Sequence, residues 1–89
     1  MQRINIERDE ENIEHIWRHR VEPEEVEEVL RGRYVFRRGR DGTYYVFGHS
    51  GSGRYLFVAL SMISRAYYRV VTARDMTVSE RQWMRRRAK

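Results

Sequence analysis

Arginine and aromatic side chains alternate through the second half of the chain, and together they can perform the chemistry of nucleic-acid binding. Guanidinium groups bind phosphates bidentately, while unpaired bases stack on aromatic rings and on guanidinium planes. The residues concerned are Arg37, Arg38, Arg40, Arg54, Arg69, Arg74 and Arg81, interleaved with Tyr44, Tyr45, Tyr67, Tyr68 and His49. A solvated sheet face with cross-strand tyrosine pairs has the same composition, so the residues alone leave both interpretations open.

The charge distribution favours a polyanionic partner for this part of the chain. Residues 1–30 carry ten acidic and four basic side chains, whereas residues 31–89 carry three acidic and fourteen basic ones. Lys89 is the only lysine. A bias toward arginine set by the genome or by the growth temperature also explains the preference for arginine over lysine, but it explains less well why basic residues are sparse in the first thirty positions.

Other patterns that could support chemistry are incomplete. His15 and His19 have the spacing of two metal ligands on one helix, but the chain has no cysteine and shows no third ligand. The G-x-G at Gly51 and Gly53 lacks a following helix, so we expect a flexible hairpin tip rather than a phosphate-binding loop. Ser50 beside His49 gives no geometry for a catalytic triad. We therefore expect neither a metal nor a cofactor.

The hydrophobic periodicity predicts a single α+β domain over residues 1–89, with the order β-α-α-β-β-β-β-α and an antiparallel sheet packed by helices. Two amphipathic helices are expected, over 9–20 and from Pro23 to a stop at Gly32. Strands follow at 33–38, 43–49, 54–62 and 66–74, with Asp-Gly at 41–42 as a hairpin turn. Thr77 and Glu80 form a capping box for the last helix.

The location of the protein is expected to be the cytoplasm. Cysteine is absent, which suits a reducing compartment, and the N-terminus has no recognisable signal peptide. The longest apolar run, at 55–60, suits a buried strand and is too short to span a bilayer, so we expect no membrane association.

Two stretches resemble the BrnT toxin family. Residues 12–26, N-I-E-H-I-W-R-H-R-V-E-P-E-E-V, are similar to the family opening N-x-x-K-H-G-V-[ST]-x-E-E-A. Residues 70–81, V-V-T-A-R-D-M-T-V-S-E-R, resemble its ending I-T-A-R-x-A-T-x-x-E-R. The middle of the chain also has the family's pattern, a Tyr/Val strand reaching Gly48 and then a Gly-Arg hairpin into an apolar strand, so the resemblance covers nearly the whole chain, with two departures. Arg20 stands where the family has a helix-ending glycine, and Trp83 closes the pattern that often ends in tyrosine.

The resemblance implies a toxin of a type II toxin–antitoxin pair, with a RelE-like ribonuclease fold and a small DNA-binding, BrnA-like antitoxin as partner. Such ribonucleases cleave RNA without a metal, through in-line attack of the neighbouring 2′-hydroxyl. Phosphate and transition-state binding is expected from Arg69, Arg74 and Arg81, and proton transfer from His49, a tyrosine or His19. Glu80 is a possible base, although its capping role and a pairing with Arg74 or Arg81 are favoured. The remaining predicted RNA-binding residues are Arg37, Arg38, Arg54, Tyr45 and Tyr67.

Two alternatives to catalysis remain open from the sequence. The protein could bind RNA, or hold an antitoxin, without cleaving anything, since fold similarity does not confer chemistry. It could also be an interaction module whose acidic stretch from Glu22 to Glu28 docks a basic partner while the basic strands stay free.

Overall fold

The computed structural model describes residues 4–7 and 20–87, which form a small α+β structure with five strands and two helices. The helix predicted over 9–20 lies outside the described residues except for its last residue, Arg20, which is a turn residue with a φ of 57°. The described elements follow one another along the chain as β1 (Asn5–Glu7), α1 (Pro23–Arg31), β2 (Tyr34–Arg38), β3 (Thr43–His49), β4 (Tyr55–Ser64), β5 (Tyr67–Asp75) and α2 (Val78–Arg87).

All five strands belong to one sheet, in the order β1-β5-β4-β3-β2. The prediction that β2 to β5 are antiparallel is confirmed, as is the central place of the most apolar strand, β4. The predicted antiparallel sheet is thus correct for these four strands but not for β1, which pairs parallel to β5. Only strands joined by a tight hairpin must run antiparallel, and a long connection separates β1 from β2. The sheet is therefore mixed.

The two hairpin loops around β3 are built differently. Between β2 and β3, Asp41 and Gly42 both have left-handed backbone conformations, with φ of 50° and 74°, as a tight hairpin turn requires. The loop between β3 and β4 is tied to the body of the protein. Ser50 is buried and its Oγ accepts a hydrogen bond from the Arg54 amide at 3.2 Å, while the Gly51 amide donates to Glu28 of α1 at 3.0 Å. This loop is therefore anchored at both ends, in contrast to the flexible tip expected.

The hydrophobic core lies between α1 and one face of the sheet, which we call the α1 face. Val26 and Val29 of α1 are buried there against Val46, Leu56 and Val58. β-branched side chains at alternate strand positions pack well on a pleated surface, and α1 offers its valines at helical spacing. Pro23 begins this helix and Gly32 caps its end, as predicted.

The opposite face of the sheet, which we call the α2 face, has a smaller cluster of apolar side chains. Phe47 of β3 packs there with Met76 and with Met84 of α2, and the Trp83 ring lies 4.8 Å from that of Phe47. Met84 is the only buried residue of α2. The helix is thus attached to the sheet by a narrow contact and leaves much of this face accessible.

In the part of the chain that the structure describes, neither helix has the length and apolar character needed to cross a membrane.

Gly48 tests the contact between α1 and the sheet. A Cβ at this position would lie 2.9 Å from Cγ1 of Val29, a buried and stiff side chain, and 3.2 Å from Cβ of Tyr34. Gly48→Ala is therefore expected to lower the free energy of unfolding by about 1–3 kcal/mol, measured by chemical denaturation. The control is Gly32→Ala, because a Cβ there meets no atom closer than 3.5 Å. Equal stability of Gly48→Ala and the wild type would contradict this packing.

Candidate nucleic-acid interface

Strand alternation brings side chains from four adjacent strands together on the α2 face. Arg37 of β2 lies opposite Tyr45 of β3, and Phe47 of β3 lies opposite Phe57 of β4. Phe57 in turn lies opposite Arg74 of β5. Because successive residues of a strand point to opposite faces, these in-register positions present one continuous surface of arginines and aromatic rings.

The arginines of this face lie against rings. The Arg74 guanidinium carbon is 4.3 Å from the centre of the Phe57 ring, and that of Arg81 is 4.7 Å from the Tyr55 ring. Arg37 approaches the Trp83 ring at 5.6 Å from the side of β2. Contacts of this kind stabilise by about 0.5–1 kcal/mol at exposed sites, so they position the guanidinium groups without burying them.

Arg74 is also held by Glu80 at the start of α2. Its two terminal nitrogens donate to the two carboxylate oxygens of Glu80 at 2.8 and 3.0 Å. Glu80 Oε1 accepts a further bond from the Thr77 amide at 2.9 Å, and Thr77 Oγ1 accepts one from the Glu80 amide at 3.1 Å. The predicted capping box and the predicted pairing with Arg74 are therefore both confirmed.

The same bonds make Glu80 a poor base. The Arg74 hydrogen bond is the main cause that holds the pKa of Glu80 below its ordinary value of 4.5, with the Thr77 amide contributing in the same direction. Hydrogen bonds that stabilise the ionised carboxylate weaken its affinity for a proton, so it is a poor proton acceptor at neutral pH. The geometry thus favours a positioning role for Glu80 over proton transfer.

His49 has a ring nitrogen available for proton transfer. Its Nδ1 lies 3.0 Å from the carbonyl oxygen of Ser50, and since a carbonyl only accepts, the proton of the neutral ring lies on Nδ1. The lone pair of Nε2 is then the one that can accept a proton. The exposed His49 ring lies edge-on to the Tyr55 ring at 6.0 Å, and the Arg81 guanidinium also lies against the Tyr55 ring. His49 and Arg81, one of the predicted phosphate-binding arginines, therefore both contact the Tyr55 ring.

A cleft of about 560 Å³ opens between the β2–β3 hairpin and α2. It is lined by Arg37, Arg38, Gly39, Arg40, Tyr45, Phe47, Phe57, Arg74 and Glu80. Four arginines and a single glutamate among these residues make its surroundings positively charged, with the Arg38 side chain directed by strand alternation to the α1 face. Among residues 4–7 and 20–87, neither Arg38 nor Arg40 has an acidic partner. The cleft therefore combines an aromatic lining with positive charge that is not neutralised locally.

The structure separates Arg69 and Tyr67 from these residues. Both belong to β5, but Arg69 lies opposite Ser61, which is four residues along β4 from the partner of Arg74. At the usual rise of a strand, this places Arg69 about 13 Å from Arg74 along the sheet. Of the predicted group of Arg69, Arg74 and Arg81, the structure thus brings Arg74 and Arg81 together and leaves Arg69 apart.

Arg54 is engaged on the other side of the sheet. Its guanidinium donates to Asp75 at 2.7 and 3.1 Å, to Glu25 of α1 at 3.1 Å and to the carbonyl oxygen of Arg20 at 2.6 Å. These bonds tie the start of α1 to the adjacent ends of β4 and β5. They favour a structural role for Arg54 over the predicted contact with RNA. His19 lies outside the described residues.

Sequence reasoning missed three aromatic residues that complete the site, namely Tyr55, Phe57 and Trp83. The strand that contains the first two was interpreted only as an apolar core strand. Its period-two pattern was the available signal, because Tyr55 and Phe57 stand at alternate positions, as do Tyr45 and Phe47 in the preceding strand. No local pattern indicated that α2 would lay Trp83 on the same face.

Comparison of the chain with protein-family models, with curated proteins and with solved structures finds no match. The resemblance to BrnT toxins therefore stays a prediction.

The Arg74–Glu80 pair predicts a pH-dependent contribution to stability. Because the pKa of Glu80 is lowered in the folded protein, the pair stabilises the fold above pH 4.5, and this contribution is lost as the pH falls through the lowered pKa. Glu80→Gln keeps an oxygen for the capping box but removes the charge. With its side chains 35% and 24% exposed, the pair should be worth about 1 kcal/mol at neutral pH.

Chemical denaturation of the wild type and Glu80→Gln at neutral pH and at about pH 3 measures this difference. We expect the gap in unfolding free energy to shrink at the lower pH. Asp41→Asn is the control, since this turn carboxylate has no guanidinium partner among the described residues. A gap that stays constant with pH would contradict the assignment of the charge effect to this pair.

Proposed function

We propose that the α2 face binds single-stranded RNA and cleaves it without a metal ion, and that the protein is the toxin of a type II toxin–antitoxin pair in the cytoplasm. The observation that carries the proposal is the set of guanidinium groups stacked on rings across this face. Stacking platforms beside phosphate-binding groups suit unpaired nucleotides. The BrnT-like ending and a RelE-like fold belong to the same proposal.

The chemistry proposed is a transfer within the RNA itself. The 2′-oxygen of one ribose attacks the adjacent phosphorus, a 2′,3′-cyclic phosphate forms, and the bond from phosphorus to the next 5′-oxygen breaks. His49 Nε2 takes the proton of the 2′-hydroxyl, and the departing 5′-oxygen takes a proton from water. Arg74 and Arg81 meet the negative charge that grows on the phosphate oxygens. The Phe57 and Tyr55 rings hold these two guanidinium groups in place before the substrate binds.

A specific observation favours a second candidate, an RNA-binding protein without catalysis. Glu80 is occupied by Arg74 and Thr77, so the predicted proton carriers that remain within the described residues are His49 and the tyrosines. A histidine–carboxylate pair of the kind that drives many hydrolases is not formed by His49 and Glu80. Binding of RNA needs only the arginines and the rings, which are present in either case.

The antitoxin remains part of the proposal as a small DNA-binding, BrnA-like protein. Two acidic side chains of α1 are already engaged within the protein, because Glu25 is paired with Arg54 and Glu28 accepts a hydrogen bond from the Gly51 amide. These two carboxylates serve the fold. The neighbouring gene is the direct test, since a small repressor encoded next to this chain is expected for a toxin pair.

Cleavage of single-stranded RNA in the presence of EDTA tests the enzymatic proposal. The wild type should cut, while Arg74→Ala should cut about 100-fold more slowly, as expected when one donor to the transition state is removed. Arg74→Lys keeps the charge but loses the planar fork, and should fall between the two. Arg65→Ala, in the turn between β4 and β5, controls for the loss of one positive charge.

Thermal melting of each variant must first show that it is folded. Binding of RNA by the wild type without any cleavage would favour the second candidate. Equal losses in Arg74→Ala and Arg65→Ala would mean that overall charge, rather than the position of Arg74, determines the rate.

A further inference from the structure

The cleft between the β2–β3 hairpin and α2 has the two components needed to hold a nucleotide. Its rings are those of Tyr45, Phe47 and Phe57, and its positive groups are the guanidinium groups of Arg37, Arg40 and Arg74. Its volume of about 560 Å³ falls within the range of sites that enclose small molecules. An anion alone would not need the rings, and an apolar ligand would not need the charge.

The Tyr45 ring is placed by a glycine. A Cβ at Gly39 would lie only 2.8 Å from Cε2 of Tyr45, so the ring lies where any other residue would place a side chain. Gly39 has no left-handed backbone conformation that would call for glycine by itself. Glycine at this position therefore permits the close approach of the Tyr45 ring. The ring also lies against Phe57 at 5.4 Å.

The charge in the cleft is available to a ligand. Arg40 has no acidic partner within residues 4–7 and 20–87, and Arg37 contacts the Trp83 ring rather than a carboxylate. Arg74 borders the same space from β5, with Glu80 as its partner. A phosphate at the hairpin side of the cleft would thus meet guanidinium groups that the fold does not neutralise.

From these observations we infer that the cleft is a subsite for one unpaired nucleotide. The base lies against the aromatic lining at Tyr45, and its phosphate meets Arg37 and Arg40. The inference rests on the proposed function, since it names what the RNA presents to the α2 face. It adds that the base is taken out of its stack, which a duplex resists because its bases are paired and stacked. The subsite thus selects unpaired nucleotides.

Calorimetric titration with three small probes tests the subsite without requiring cleavage. The probes are adenosine 5′-monophosphate, adenosine and inorganic phosphate, at matched ionic strength. The monophosphate should bind about tenfold more tightly than either of the others, because only it uses both the rings and the guanidinium groups. Equal binding of the monophosphate and inorganic phosphate would overturn the inference and leave a plain anion site.

A matched pair of variants locates the binding. Tyr45→Leu should weaken binding of the monophosphate about tenfold and leave that of inorganic phosphate unchanged, as expected for loss of one stacked base. Tyr44→Leu is the control, because Tyr44 is the neighbouring half-buried tyrosine and stacks with Phe36 on the opposite face. Equal weakening by the two variants would overturn the assignment to the cleft.

Gly39→Ala gives a second test that removes no chemical group. The new Cβ must displace the Tyr45 ring, so binding of the monophosphate should weaken in the same direction as in Tyr45→Leu, by a smaller factor. Unchanged binding in a folded Gly39→Ala variant would count against the role of this ring.

If RNA is not cleaved but the monophosphate binds as described, only the proposed enzymatic function is contradicted. If RNA is cleaved and the monophosphate binds like inorganic phosphate, only the subsite falls.

Discussion

The ion pair between Arg74 and Glu80 is the interaction on which the α2 face depends. Arg74 is the point where β5, the Phe57 ring of β4 and the first turn of α2 meet. Strand alternation directs its side chain to this face, and the capping box with Thr77 fixes the carboxylate that receives it. The pair thereby sets where α2 begins relative to the sheet. The position of Trp83 and the opening of the cleft follow from that.

The two faces of the sheet divide stability from recognition. The α1 face is filled with aliphatic side chains, and at its end Arg54 joins α1 to the adjacent strands through bonds to Asp75 and Glu25. The α2 face has rings and arginines, and a helix that buries only Met84. Guanidinium groups that the fold needs, such as that of Arg54, are saturated by carboxylates. Around the cleft Arg74 is paired with Glu80, whereas Arg37 contacts a ring and Arg40 has no acidic partner among the described residues, so part of the positive charge stays available.

Much of the fold followed from local patterns, and most of the rest depended on contacts between distant residues. The Asp-Gly turn, the Thr77–Glu80 capping box and the period-two strands each reflect interactions within a few residues, so they were predictable. The parallel pairing of β1 with β5 joins opposite ends of the chain, and no local signal specifies it. Likewise the acidic partners of Arg54 lie 21 and 29 residues away. For the site, composition indicated the arginines and tyrosines, but only register distinguishes Arg74, near the cleft, from Arg69, about 13 Å along the sheet.

The central claim is that single-stranded RNA binds to the α2 face, and NMR of the arginine side chains tests it most directly. The Nε–Hε signals of labelled protein can be followed while a short single-stranded RNA is added. The claim predicts that the signals of Arg37, Arg74 and Arg81 shift together, while that of Arg54 stays in place because its partners lie on the other face. Shifts centred on Arg54 and the acidic helix α1, with those of the α2 face unchanged, would contradict it.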